Sequence, residues 1–192
     1  MELVTGRAPD LSRWEGRPFW PAIAAGPRRG DARDCFRRDV ATEPPGPPVA
    51  GGPFERVAAA ILRYDVFPPA MVDGVLRRAP VEAGDTIGIR YRRFRVADLF
   101  FAARVVDRFR RVADGTVSEG FTYRTLVGHP ELGEETFSVA KQLESGLVSV
   151  ELRSWSRPGT LLARLASPIV RRLQLSAGRG ALDHLARIAA GP

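Results

Sequence analysis

Tyr123, His129 and Glu135 are three side chains able to hold or move a proton, and they fall close together in the stretch EGFTYRTLVGHPELGEETFSVAKQLESGLVSVELRSWSRP, residues 119–158. Histidine titrates near neutrality, and burial or a neighbour can bring a carboxyl there as well. Alternation places Phe121, Tyr123 and Thr125 on one strand face, Glu135, Phe137 and Val139 on one face of the next, and Val148, Val150 and Leu152 on that of a third. Glu135 therefore points where the hydrophobes point. An inward carboxylate is costly unless it is paired, hydrogen-bonded or wetted. Tyr123 is its natural partner, because a buried tyrosine needs a hydroxyl contact. Such a pair either holds the polar head of a ligand or satisfies itself as a structural contact; alternatively Glu135 simply reaches solvent at the hairpin end. His129, between Gly128 and Pro130 at the hairpin tip, is an acid–base candidate if Glu131, Glu134 or Glu135 raises its pKa, or a turn cap bonded to backbone. No metal site is expected, since adjacent Glu134 and Glu135 point to opposite faces and no further histidine or cysteine lies at ligand spacing. Trp155 and Arg157 close the last strand. Arg157 there either bridges the tip glutamates or binds an anionic ligand group.

Elements on either side must position this stretch. Residues 1–33 mix Trp14, Phe19 and Trp20 with glycine, proline and arginine and read as an irregular N-terminal arm whose aromatics pack onto the main domain, or whose tryptophans mark a partner site; residues 34–192 read as one domain. Segment 34–42 predicts a strand, and the proline-rich EPPGPPVAGGP after it a linker or flexible loop. Phe54, Val57, Ala58, Ile61 and Leu62 recur at helical spacing and predict a helix over 54–64; Pro68-Pro69 followed by Met71, Val72, Val75 and Leu76 predicts a second over 69–78. From Gly84 to Ser156 the period becomes alternating, with turns at Asp114-Gly115 and Glu144-Ser145-Gly146. A C-terminal helix over about 159–188 follows, its Leu161, Leu165, Ile169 and Leu173 on one side. Pro168 should kink or split it, and Gly178 and Gly180 should weaken it. This order is an α+β helix grip: a curved antiparallel sheet of about six or seven strands wrapped around a long C-terminal helix. In such a grip an apolar ligand can lie between sheet and helix, lined here by Phe121, Tyr123, Glu135, Phe137, Trp155, Arg157 and Leu165.

Composition bounds the partners. The chain of 192 residues carries a net charge of +7, yet of its 29 basic residues Lys141 is the sole lysine, and asparagine is absent. That usage reflects base-composition bias and weakens the step from basicity to nucleic acid. Arginines at 90–95, 104–111 and 171–172 have aromatics among them, but Asp98, Asp107 and Asp114 interrupt the charge and no nucleic-acid-binding signature accompanies them. Nucleic acid is not an expected partner, though arginine-mediated binding of anionic surfaces stays open. One cysteine, Cys35, excludes an intrachain disulfide and fits a reducing cytoplasm. No stretch is apolar enough for a membrane span; peripheral contact is left open. No phosphate loop, dinucleotide fingerprint or HExxH motif is present, so no cofactor is expected.

Several blocks resemble the family called domain of unknown function nineteen-ninety, found in bacteria and plants. FERVAAAILRY at 54–64 resembles its first helix, and GDT at 84–86 and RVVD at 104–107 its early strands. Phe121, Tyr123, Thr125, Leu126, Gly128, His129, Pro130, Gly133, Glu134, Glu135 and Phe137, followed by Ser156-Arg157-Pro158, resemble its most distinctive motif. The resemblance spans about residues 54–175; Arg124 stands where a small residue is usual, and the N-terminal arm has no counterpart. It implies a START-like fold, as in birch-pollen allergen. Within that superfamily it leaves open a binder of a hydrophobic small molecule or lipid and an enzyme, cyclase- or hydrolase-like, with Tyr123, His129 and Glu135 as its acid–base groups.

Overall fold

Alternating apolar residues between Asp98 and Pro158 build the long antiparallel strands on which everything else rests. The computed structural model describes residues 1–5, 10–92, 98–159 and 167–191. In chain order the elements are β1 (Glu2–Val4), α1 (Ser12–Glu15), a 3-10 turn (Pro21–Ile23), β2 (Ala32–Thr42), α2 (Pro53–Leu62), β3 (Val72–Val75), β4 (Thr86–Tyr91), β5 (Asp98–Ala113), β6 (Thr116–Thr125), β7 (Glu131–Gln142), β8 (Leu147–Pro158) and α3 (Ser167–Ala190). The sheet runs β2-β8-β7-β6-β5-β4-β3, with β1 added beside β5, and every pairing is antiparallel. Irregularities between Val105 and Asp107 and between Asp39 and Ala41 add local twist and help to curve it. At the β5–β6 turn Asp114 and Gly115 both adopt positive φ, 48° and 69°, the conformation a tight hairpin requires.

The helices α2 and α3 cover one face of the sheet, here the inner face. Phe54, Val57 and Ile61 of α2 and Ala181, Leu185 and Ala189 of α3 join Val105, Phe121, Phe137, Val139, Val150 and Leu152 in the main core. On the outer face the first residues of the chain make a second, smaller core, in which Trp14 packs edge-on against Phe100 with Leu11, Ala102 and Leu126 around it. The segment expected to be an irregular arm thus contributes a strand, β1, and its Trp14 packs onto the domain as expected.

One expectation about helices is corrected. Residues 72–75 form a strand: the amides of Met71 and Val72 bond to the Pro68 carbonyl to close a single turn, after which Asp73-Gly74 favours extension and Val72 and Val75 pair with Tyr91 and Gly88. The C-terminal helix runs without interruption from Ser167 to Ala190, through Gly178 and Gly180. The kink expected at Pro168 adjoins residues 160–166, which lie outside the described residues. Gly178 is there for contact, since a Cβ at that position would sit 2.6 Å from the Phe36 ring. Leu161, Leu165 and the Ile169 side chain, expected on the buried side, lie outside what is described.

Candidate functional site

Tyr123 and Glu135 face each other across β6 and β7, and the Tyr123 hydroxyl donates to Glu135 Oε2 at 2.7 Å. The paired inward positions read from alternation therefore meet. Below them lies a cluster of five rings: Phe121 and Phe137 are 5.4 Å apart between centroids, and Tyr64 lies 5.9 Å from Phe137 and 6.3 Å from Tyr123, with Phe67 completing the group. Phe121 and Phe137 were expected to line a cavity, but both are 0% exposed. This part of the grip is packed solid. Glu135 is partly buried at the edge of the aromatic cluster.

Tyr64 is the member the sequence did not disclose. It follows α2 in a left-handed conformation, φ 56°, unusual for a residue with a side chain. That turn folds its ring back onto the sheet, and Gly74 makes the room, because a Cβ there would meet the Tyr64 ring at 2.6 Å. Its ring packs beside that of Tyr123, which in turn bonds Glu135. Burial first, then the Glu135 charge, drives both phenols well above their ordinary pKa, so they stay protonated donors. Burial also raises Glu135, to about 7; the Tyr123 hydrogen bond opposes this, and Asp34 and Glu131 add to it.

Polar groups continue toward the N-terminal end of α3. Arg171 Nη2 donates to Asp34 Oδ1 at 2.6 Å, Gln174 donates to Glu131, and burial lifts the Glu131 carboxyl above its usual value. The inner face thus changes from aromatic to polar within a few residues of Glu135. Among the described residues no group of histidine, cysteine and carboxylate side chains is placed to hold a metal ion.

The family profile described as Domain of unknown function (DUF1990) matches residues 26–184, most of the chain. The chain belongs to that family. The match begins earlier and ends later than the 54–175 expected from motifs. A curated relative, a UPF0548 protein of Dictyostelium discoideum, is 29% identical over 127 residues, covering 63% of this chain and 59% of its own length, so the chain spans about three fifths of the curated relative it matches. Among solved structures, a hypothetical protein of Helicobacter pylori is similar at TM-score 0.52 and 11% identity, covering 87% of this chain and 92% of that one. A major latex-like protein of Panax ginseng aligns at TM-score 0.44 and 13% identity, covering 80% of this chain and 97% of its own.

The other candidate residues of this DUF1990 chain lie elsewhere. His129 is buried against Phe101, ring centroids 4.4 Å apart, and its Nδ1 lies 2.8 Å from the Glu131 carbonyl oxygen and 3.1 Å from the Glu131 amide nitrogen. No carboxylate raises its pKa; burial lowers it to about 3, and the ring is neutral at physiological pH. Trp155 and Arg157 fall on the outer face, because they are an odd number of residues from Leu152. Trp155 borders a shallow outer depression with Arg33, Cys35, Thr136 and Arg153. Arg157 pairs with Asp31 at 2.7 Å and bonds the Ala22 carbonyl, anchoring the N-terminal segment and leaving the tip glutamates alone. Glu134 is also outside, paired with Arg124 at 2.7 Å.

Proposed function

We propose that this DUF1990 protein binds a hydrophobic small molecule or lipid between the sheet and α3, with the ligand's polar end held by Tyr123 and Glu135, in a reducing cytoplasm. What supports the reading is the hydroxyl–carboxylate pair on the inner face, at the boundary between a sealed aromatic cluster and the polar groups near α3. A ligand site of this kind is apolar with a few oriented polar groups. Native mass spectrometry of protein purified from its own cells tests it. The expected result is a co-purifying apolar compound that Glu135→Gln loses or binds more weakly; a clean apo mass in every preparation counts against the reading.

A second reading is acid–base catalysis on such a ligand, favoured by the Glu135 pKa of about 7. The same value makes a stability prediction. A carboxyl whose folded pKa lies above its unfolded value of about 4.3 contributes stability that is complete below that value and is lost as pH rises through the folded pKa. Between pH 5 and 8 the wild type should lose on the order of 2 kcal/mol from this group, and Glu135→Gln should flatten that slope in urea melts. Equal slopes in the two proteins would mean that Glu135 titrates as an ordinary carboxylate. The arginine clusters support neither reading: Arg90, Arg92, Arg110 and Arg111 are each engaged with an aspartate or glutamate.

A further inference from the structure

Strand β2 ends the sheet. It is 11 residues long, pairs with β8 on one side, and among the described residues meets no strand on the other. Such an edge offers a row of backbone donors and acceptors to any strand that matches it. In an antiparallel pair only alternate residues turn these groups toward the partner, so two copies of β2 can pair only in registers whose two-fold axis passes through a residue.

Charge then separates those registers. Centred on Asp34, Arg37 or Arg38, the axis would set a charge against its own copy; centred on Cys35, it would set Arg33 against Arg37. Centred on Phe36, it sets Arg33 against Asp39, Asp34 against Arg38 and Cys35 against Arg37, each twice, with Phe36 meeting Phe36. Charged edge residues ordinarily keep strands apart. Here their order makes the edge complementary to itself in one register, through residues 33–39. Arg33, Cys35, Arg37 and Asp39 are exposed on the outer face, and Arg33 and Asp39 have no ion pair among the described residues. Asp34 and Arg38, on the inner face, are held in place by Arg171 and Asp183 of α3.

We propose that the free edge of β2 is a self-association surface on which a second copy of this chain pairs antiparallel about Phe36, joining two sheets into one of two-fold symmetry. Sedimentation velocity over a concentration series tests it, with melting temperature reporting on folding. The wild type should dimerise reversibly. Asp39→Arg, which opposes Arg33 with a like charge, and Arg33→Asp, which opposes Asp39, should each raise the dissociation constant by at least about tenfold. The double variant Arg33→Asp/Asp39→Arg restores both pairs and should restore the dimer. Cys35 gives a readout without mutation: its copy lies on the same face one diagonal away, about 7–8 Å, within reach of a short thiol-to-thiol cross-linker. A protein that stays monomeric throughout, a dimer indifferent to the single reversals, or a double variant that fails to recover would each overturn the proposal.

Discussion

Lys141→Met will destabilise the protein by about 3–5 kcal/mol at neutral pH, more than any other single substitution proposed for this chain. Lys141 is 0% exposed and its partner Glu43 1% at the side chain, and their contact is 2.8 Å. The ammonium also donates to the Pro47 carbonyl at 2.9 Å, while Glu43 accepts the amides of Phe54 and Val49 at 2.8 and 3.1 Å. This one pair ties β7 to the proline-rich segment and to the first turn of α2. The segment that composition marks as a flexible linker is therefore pinned at both ends. Arginine is not an equivalent choice, because its planar fork needs more room and more acceptors than a compact ammonium. Removing the lysine leaves a buried carboxylate without its counter-charge, which is where the cost arises. The double variant Lys141→Met/Glu43→Gln removes the unpaired charge and keeps an acceptor for one of the two amides, which now bond to different carboxylate oxygens, so it should recover part of the loss; no recovery would mean that the ammonium's packing, not its charge, is what counts.

The pH dependence should change sign as well. Burial pushes the Glu43 carboxyl up, but Lys141 and the two amides pull harder, and the net pKa lies below the ordinary carboxylate range. A depressed folded pKa contributes stability that is present above the unfolded value, about 4.3, and is lost as pH falls through the folded one. In Lys141→Met the pull is reduced to the amides and burial prevails, so this group's contribution should weaken as pH rises from about 4 toward neutrality. Chemical denaturation at pH 4 and pH 7 decides it: a variant that follows the wild-type direction would mean that water reaches Glu43.

Which features could be read from the sequence depended on whether the governing interaction was local. Strand parity within 119–158 was enough to bring Tyr123 opposite Glu135, because register is fixed once one face is buried. The same parity places Trp155 and Arg157 outside; reading them as ligand contacts gave weight to their chemistry over their position relative to Leu152. The helix expected over 69–78 rested on apolar spacing that β3 uses equally well, and Gly74, set against the Tyr64 ring, was the stronger signal. Tyr64 left no local mark, since its role depends on one left-handed residue after α2. Lys141 did leave one: a single lysine in an arginine-rich chain marks a position that arginine does not fill.

Ending the chain after Gly159 will abolish cooperative unfolding and leave a protein that aggregates. The deletion removes α3, whose Ala181, Leu185 and Ala189 are 0%, 0% and 1% exposed in the main core. Burying Leu185 alone is worth about 1.5–3 kcal/mol. Polar anchors go with it: Arg56 donates to the carbonyls of Ile188 and Ala189, Arg171 to Asp34, and His184 contacts Asp65 at 2.8 Å. Each tie joins α3 to a different part of the structure, namely α2, β2 and the turn after α2, so no remaining element compensates for them together. The sum approaches the roughly 5–15 kcal/mol that separates a whole domain from its unfolded state. Phe36, which now packs against Gly178, would lose its cover. A truncated chain that stays soluble and melts in one sharp calorimetric transition would mean that α2 and the sheet form the folding unit alone. The ligand would then have to be held without α3, and the grip reading of the site would fail with it.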